Sequence, residues 1–213
     1  MEKYKVLNLY ACLGGNRYKW TDCEVTAVEL DEEAARLYQE RFPNDIVIVA
    51  DAHQYLLDHY KEFDFIWSSP PCPTHSRFQT SMKTIRKMQY PDMKLYEEII
   101  FLDNFFDGKY CVENVIPFYE PLIPAQKRGR HLYWTNFTLP TNLNERKNPD
   151  LAREKDLIKS LSEFHDYDFR KYKGKQSVQK MARNLVDYEA GLTIFNIARG
   201  IFEKPKTNQL ELL

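Results

Sequence analysis

The sequence predicts an α/β domain with a mostly parallel sheet and helices on both faces. Short apolar runs typical of buried strands recur in the first third of the chain, at residues 5–10, 25–30, 46–50 and 63–67. Helical patterns separate them, one after the candidate N-cap Asp31 and one over about residues 52–60. Pro43-Asn44-Asp45 ends the first of these helices. Strands that alternate with helices form parallel sheets.

The rest of the chain continues this pattern and then departs from it. We expect a helix over 92–106, a strand over 110–112 that ends at Glu113-Asn114, and another strand over 131–137. The segment after that is highly charged, with few clear elements, before a helix over about 188–202. We therefore expect three parts: a main domain, a small appended region or extended loop, and a C-terminal helix that returns to the main domain, at residues 1–138, 139–182 and 183–213.

Composition limits the class of protein. The chain has 213 residues, of which 43% are hydrophobic, enough for one domain with a real core. Its four cysteines have no metal-ligand spacing, so we expect a reduced, cytoplasmic protein without a metal. No run is apolar enough to cross a membrane, and no signal peptide is visible. The net charge of −1 does not by itself indicate a nucleic-acid partner.

Unusual sequences stand at the predicted strand ends, where parallel sheets bind ligands. They are Tyr10 to Gly15, Glu29-Leu30, Asp51 and Pro70-Pro71-Cys72, with Glu113 after the fifth strand. An acid such as Glu29 accepts hydrogen bonds from ribose hydroxyls in nucleotide sites, and Asp51 could accept one from an adenine amine. Each feature alone is also explained as a tight turn or a helix cap. Together they favour a binding site.

Cys72 is the most informative single residue. Three prolines surround it, at positions 70, 71 and 73, and each removes a backbone donor, which suits a buried strand badly. A rigid loop that projects the thiol explains the pattern better than a buried structural cysteine does. We interpret Cys72 as a nucleophile.

Several motifs resemble those of the cytosine carbon-5 methyltransferases. Asn8-Leu9-Tyr10-Ala11-Cys12-Leu13-Gly14-Gly15 resembles the family's first motif, with Asn8 where Asp is usual and Cys12 where Gly is usual. Pro71-Cys72 resembles the nucleophile motif, and Glu113-Asn114-Val115 the Glu-Asn-Val motif. The run from Gln126 to Arg130 resembles Gln-x-Arg-x-Arg. Arg183-Asn184-Leu185-Val186 is similar to the last motif, with Arg183 in place of Gly.

The resemblance implies a Rossmann-like methyltransferase fold that uses S-adenosylmethionine, with residues 1–138 as the catalytic domain and 139–182 as a small target-recognition region. Cys12 in place of Gly would narrow the methionine end of the pocket. The cofactor would contact residues from the first three strand ends, the nucleophile loop and the last motif: Tyr10, Ala11, Leu13, Gly14, Gly15, Glu29, Leu30, Asp51, Pro71, Asn184 and Val186.

The same resemblance implies a covalent mechanism. Carbon 5 of cytosine is a weak nucleophile until a thiolate adds to carbon 6, and Cys72 would supply that thiolate. Glu113 would hydrogen-bond ring nitrogen 3 and the amino group, and Arg130 would hold the base oxygen and the thiolate.

Double-stranded DNA is the expected substrate, with the cytosine flipped out of the duplex. Two basic stretches without acids, 77–89 and 169–183, favour phosphate contacts, although an isolated basic run is more often a solvated face. The predicted DNA-binding residues are Ser76, Arg77, Lys83, Arg86, Lys87, Gln126, Arg128, Arg170, Lys171, Lys173 and Lys175.

The short recognition region leaves alternatives open. The enzyme reads a very short sequence or none, a second subunit supplies recognition, or the substrate is not duplex DNA. Compact relatives resemble phage and bacterial enzymes that protect a genome from restriction by broad methylation. An RNA (tRNA-type) cytosine methyltransferase shares the same motifs, and Asn8 and Cys12 also allow a catalytically inactive nucleic-acid-binding relative. A small-molecule methyltransferase would leave Cys72 and the basic stretches unexplained.

Overall fold

The computed structural model describes residues 3–81, 85, 87–147, 149 and 156–201. Seven strands form one sheet: β1 (Tyr4–Leu9), β2 (Cys23–Glu29), β3 (Ile46–Val49), β4 (Phe65–Ser68), β5 (Lys109–Val115), β6 (Gln126–Arg128) and β7 (His131–Thr135). Within these described residues, seven α-helices accompany it: α1 (Glu32–Arg41), α2 (Ala52–His59), α3 (Phe78–Ser81), α4 (Lys94–Phe105), α5 (Leu157–His165), α6 (Val178–Arg183) and α7 (Tyr188–Ala198). No helix in the described part of the chain is long and apolar enough to span a membrane.

The strand order is β3-β2-β1-β4-β5-β7-β6. The first five strands in this order are parallel, whereas β7 runs antiparallel to both β5 and β6. The chain builds outward from β1 through β2 to β3 and then returns to the other side of β1 with β4. Such a reversal opens a crevice at the carboxyl ends of the strands, where α/β sheets bind ligands. The predicted fold class is confirmed.

Both faces of the sheet are covered, as alternation along the strands predicts. In β1, Leu7 and Leu9 point to a core shared with α2 and α4, whereas Val6 points to the opposite face. On that second face, the ring of Trp20 stacks on Phe195 of α7 with their centroids 4.8 Å apart. The C-terminal helix thus packs directly on the sheet. These two layers hold the strand ends rigidly for the site described below.

Strand β5 is longer than the sequence pattern predicts. It continues through Glu113 and Asn114 to Val115, because β7 pairs with residues 111–115, with Glu113 opposite Tyr133. Glu113 therefore lies inside a strand and not after one. Strand β3 is entirely apolar, as a central strand of a parallel sheet usually is. It nevertheless lies at the edge of the sheet, where Ile46 and Val49 are exposed.

The charged segment after residue 139 holds more regular structure than the sequence pattern predicts. It contains α5, α6 and a short 3-10 turn over residues 169–171. Asp156 caps α5, and Ser177 caps α6, each through a side-chain oxygen that accepts a backbone N–H. Apolar residues of this segment pack on Leu13 and Leu37 of the main domain. In the sequence, the many charged residues of this segment obscure the spacing of the apolar residues that pack inward, because the charged residues occupy the solvent-facing positions between them.

Candidate active site

A cleft of about 1060 Å³ opens at the carboxyl ends of the central strands. It brings together nine of the predicted site residues from separate parts of the chain: Tyr10, Glu29, Leu30, Asp51, Pro71, Cys72, Glu113, Asn184 and Val186. Lys173 and Lys175, predicted to bind DNA, line it as well. Strand ends that are far apart in the sequence therefore face one common space.

The loop that carries Cys72 is held by backbone and side-chain hydrogen bonds. Asn114 Nδ2 donates to the carbonyl of Pro70 at 2.9 Å, which ties the loop to β5. The Cys72 carbonyl accepts the N–H groups of His75 and Ser76, both at 3.0 Å. The Cys72 side chain is half-buried and free of any disulfide. The thiol is thus projected into the cleft from a fixed loop.

The protonation of Cys72 depends on opposing influences. Burial, and then the nearby carboxyl of Glu113, raise the pKa of the thiol above its usual value. The positive charges of Lys180 and Arg130 act in the opposite direction. Lys180 on α6 lines the cleft, whereas Arg130 is exposed and lies outside its lining. In the sequence, Lys180 is one of many basic residues, so nothing there singles it out.

Glu113 is buried beside the nucleophile loop, with only 7% of its surface exposed. Ser69 Oγ donates to Glu113 Oε2 at 3.1 Å, and Trp67 Nε1 donates to Ser69 Oγ at 2.8 Å. Burial raises the pKa of Glu113 to about 7, although the Ser69 hydrogen bond lowers it. At neutral pH the carboxyl therefore exists in both protonation states, and it can donate as well as accept a hydrogen bond.

His131 lies in the same cleft between two carboxyl groups. Its Nε2 is 3.6 Å from Glu113 Oε1, and its Nδ1 is 3.8 Å from Glu145 Oε1. Burial lowers the pKa of His131 to about 4, so the ring is neutral near pH 7. It therefore adds no positive charge that would ionise Glu113.

Two carboxylates stand at the ends of β2 and β3. Glu29 accepts the backbone N–H of Cys12 with Oε2 and that of Asp31 with Oε1, both at 2.8 Å. Asp51 caps α2, since its Oδ1 accepts the N–H of Gln54 at 3.1 Å, and its Oδ2 is 3.7 Å from Lys94 Nζ. Both carboxylates shape the backbone around the cleft and also face into it.

The loop after β1 shapes the cleft from behind. Tyr10, Cys12 and Gly14 have φ angles of 54°, 48° and 69°, in the left-handed region that favours glycine. A side chain at Gly15 would come within 2.6 Å of the Val186 carbonyl, so this glycine allows the loop to touch the last motif. Four predicted cofactor residues belong to this inner layer and do not line the cleft: Ala11, Leu13, Gly14 and Gly15.

A buried polar network behind Tyr10 was not predicted. Glu98 of α4 has no exposed surface, and it accepts hydrogen bonds from Tyr10 Oη and Ser68 Oγ, each at 2.6 Å. His53 Nδ1 is 3.1 Å from the same carboxylate. This network fixes the Tyr10 ring at the cleft wall. The only sequence signal is an acid at a core-facing position of α4.

Asn8, which differs from the family's usual Asp, does not face the cleft. It is buried in β1, and its Oδ1 accepts a hydrogen bond from Asn16 Nδ2 at 2.8 Å. Cys12, the other departure, does line the cleft and stands at a positive φ.

Gln126 and Arg128, which are predicted to bind DNA, have their polar groups bound within the protein. Gln126 Nε2 donates to Thr135 Oγ1 and to the Phe137 carbonyl, and its Oε1 accepts the Leu139 N–H. The Arg128 guanidinium donates to the carbonyl of Lys127 in β6 and to those of Leu139 and Pro140, which follow β7. The structure thus places both side chains at the strand β6, outside the cleft, where they secure the chain that follows β7.

The remaining basic residues are distributed over two regions. Arg77 donates to the Pro117 carbonyl at 3.2 Å, Ser76 Oγ accepts the Phe78 N–H, and Lys87 is exposed. Lys83 and Arg86 lie outside the described residues. Arg170 forms an ion pair with Asp156 at 3.1 Å, and Lys171 is exposed. Lys173 and Lys175 face the cleft beside the acidic first turn of α1.

Comparison with known families adds to this geometry. Residues 4–115, just over half of the chain, match the family described as C-5 cytosine-specific DNA methylase. The chain belongs to this family. It is accordingly a methyltransferase, and its cofactor is S-adenosylmethionine. The matched residues include Cys72 and Glu113 and the first three strand ends.

Solved structures with a similar fold include methyltransferases. A hypothetical protein of Thermus thermophilus is 18% identical over 62% of this chain and 73% of its own, with a TM-score of 0.44. A mutant DNMT2 of Spodoptera frugiperda is 24% identical over 53% and 35%, with a TM-score of 0.39. A SAM-dependent methyltransferase of Agrobacterium tumefaciens is 15% identical over 55% and 40%, with a TM-score of 0.38. No curated protein matches the chain.

The described residues contain no group of three or more His, Cys, Asp or Glu side chains that could hold a metal ion.

Proposed function

We propose that this methyltransferase methylates carbon 5 of cytosine in double-stranded DNA through a covalent bond to Cys72. One observation carries the proposal: Cys72 and Glu113 line the same cleft as Tyr10, Glu29 and Asp51. A nucleophile and an acid thereby share one space with the strand ends at which α/β sheets bind nucleotides.

Cys72 would begin the reaction by adding to carbon 6 of the cytosine ring. The electron pair of the carbon 5–carbon 6 double bond then becomes available at carbon 5, which takes the methyl group. A water molecule would take the proton from carbon 5 and the Cys72 thiolate would depart, which restores the double bond; the demethylated cofactor, S-adenosylhomocysteine, is the second product. The cofactor supplies the methyl group and a positive sulfonium charge.

Glu113 would hold the base during this attack. Addition to carbon 6 pushes negative charge toward nitrogen 3, where a protonated carboxyl can donate a hydrogen bond. The raised pKa of about 7 keeps a large fraction of Glu113 protonated at neutral pH. When Glu113 is protonated, its negative charge no longer raises the pKa of Cys72. Protonation of Glu113 would therefore favour both the hydrogen bond to nitrogen 3 and the ionisation of Cys72.

The cleft fits the proposed cofactor. Leu30 is 68% exposed and lines the cleft, so its side chain offers an apolar surface on which adenine would lie. Glu29 would accept ribose hydroxyls with its remaining lone pairs, and Asp51 Oδ2 would accept the adenine amine. Pro71, Asn184 and Val186 would complete the wall, with Tyr10 at the methionine end. Ala11, Leu13, Gly14 and Gly15 would shape that end from behind.

DNA would approach the nucleophile loop, with the target base flipped into the cleft. Ser76 and Arg77 directly follow this loop, and Lys83, Arg86 and the exposed Lys87 belong to the same stretch of sequence. Arg130 would reach the base oxygen. Two further proposals concern the context of the reaction. A second subunit would recognise the target sequence, and the methylation would protect a genome from restriction.

The test is methyl transfer from labelled S-adenosylmethionine, wild type beside Cys72→Ala, with duplex DNA and tRNA offered separately. We expect label at carbon 5 of cytosine in DNA, and none with Cys72→Ala. Label in tRNA alone would refute the DNA substrate but not the covalent mechanism. Equal label from Cys72→Ala would refute the mechanism.

A further inference from the structure

Residues 172–176 lie across the cofactor end of the cleft. Tyr172 Oη donates to Asp31 Oδ2 at 2.6 Å, and the Lys173 N–H donates to Glu33 Oε1 at 3.4 Å. Lys173, Gly174, Lys175 and Gln176 all line the cleft. A segment remote in sequence from α1 is therefore attached to the first turn of that helix.

The segment wraps around the Tyr172 hydroxyl. This oxygen also accepts the Gln176 N–H at 3.2 Å, which closes a tight loop. A Cβ at Gly174 would lie 2.3 Å from the same hydroxyl, so only glycine allows the loop to pass. The Tyr172 ring is buried against Leu13 and Phe169. The loop thus has a fixed shape, set by one side chain.

The attachment point adjoins the proposed ribose and adenine positions. Asp31, which receives the Tyr172 hydroxyl, donates its own N–H to Glu29 Oε1 at 2.8 Å. Exposed Leu30 stands between these two acids in the same cleft wall. The segment therefore faces the part of the cleft where the adenosine half of the cofactor would bind.

Charge also favours this arrangement. The first turn of α1 carries Glu32 and Glu33, after the N-cap Asp31. Lys173 and Lys175 line the cleft with all three acids. Opposite charges in one lining attract each other, which favours the attachment of this segment to α1.

We propose that residues 172–176 form a wall of the cofactor site that contacts the adenosine half, and that Tyr172 is the positioning residue that holds this wall on α1. The inference rests on the proposed cofactor site. It assigns part of the region expected to recognise DNA to cofactor binding.

Equilibrium binding without DNA tests the inference. Dissociation constants would be measured by calorimetry for S-adenosylhomocysteine and for methylthioadenosine, which lacks the amino-acid end. We expect Tyr172→Phe to weaken both by the same factor, about three- to tenfold, since the lost hydrogen bond holds the wall on α1 and does not itself touch the ligand. Unfolding temperatures would show that the variant is folded.

Tyr167→Phe is the matched control, because the Tyr167 hydroxyl is buried, has no hydrogen-bond partner among the described residues and lies outside the cleft lining. It should bind both ligands like wild type. Equal affinities of Tyr172→Phe and wild type would overturn the inference and leave the proposed function intact. A loss for S-adenosylhomocysteine alone would overturn the adenosine assignment. If wild type bound neither ligand, the proposed cofactor site would fail, which is a different result from these.

Discussion

Among single residues, Glu113 shows how burial adjusts a group for chemistry. Its carboxyl sits between Ser69 and a neutral His131, so desolvation raises its pKa to about 7. The folded protein therefore binds this proton more tightly than the unfolded chain does. Linkage then requires that the contribution of Glu113 to stability is largest at low pH and is lost as pH rises through about 7.

We expect Glu113→Gln to remove this loss. Between about pH 5 and 8 the free energy of unfolding of wild type should fall relative to the variant, by up to ~3 kcal/mol for a shift of this size. Denaturant unfolding at a series of pH values measures it. The difference between the two proteins cancels groups away from Glu113, such as the buried His165, which destabilise the fold at acid pH. A constant difference across this range would contradict the assignment. Methyl transfer by the variant should fall by roughly 10²-fold or more.

Lys180 should influence the reactivity of Cys72. Its charge favours the thiolate, so Lys180→Gln should raise the pKa of the thiol and slow its alkylation by iodoacetamide at a given pH. The pH dependence of alkylation, followed by mass spectrometry at Cys72, provides the measurement. Lys171→Gln, exposed and outside the cleft, is the control and should leave the profile unchanged. The idea fails if both variants give the wild-type profile.

Among elements, the nucleophile loop depends on its neighbouring strand. β5 extends through Asn114 because β7 pairs with it, and only then can the Asn114 amide reach the Pro70 carbonyl. This dependence explains why a Glu-Asn pair and a Pro-Cys pair, more than 40 residues apart in sequence, lie side by side in the fold.

We expect Asn114→Ala to lower kcat by misplacing Cys72, and to cost about 1–3 kcal/mol because the buried Pro70 carbonyl loses its donor. Steady-state kinetics and denaturant unfolding measure the two effects. Asn136→Ala is the matched control, since Asn136 Nδ2 also donates to a carbonyl, that of Gly108, but away from the cleft. It should affect stability and not kcat. Equal kcat values for the two variants would show that the Asn114 hydrogen bond is merely structural.

For the whole molecule, a net charge of −1 means that DNA binding must depend on local positive charge. We expect affinity for duplex DNA to fall steeply with salt, and Lys87→Gln to reduce the slope of log K against log salt by about one. Fluorescence anisotropy at several salt concentrations measures this slope. Arg36→Gln, a change on α1 in an existing cluster with Glu33 and Glu40, should not alter it. An unchanged slope for Lys87→Gln would place DNA elsewhere.

Much of this protein is encoded locally, and that part can be predicted from the sequence. Apolar runs predict the strands of the parallel sheet, and caps such as Asp31 predict the helices between them. Both signals can be recognised because they depend on residues that are close in sequence. The motifs around Cys72 and Glu113 predict the type of reaction, because a reaction requires particular side chains and these stand in short, recognisable runs of sequence.

Other features depend on contacts between distant residues. The length of β5 follows from its pairing with β7, and the burial of Glu98 from the packing of α4 under Tyr10. Tyr172 meets Asp31 although 141 positions separate them. Hydrogen bonds and desolvation act over a few ångströms in space, whatever the separation in sequence, so only the folded chain decides which groups they join.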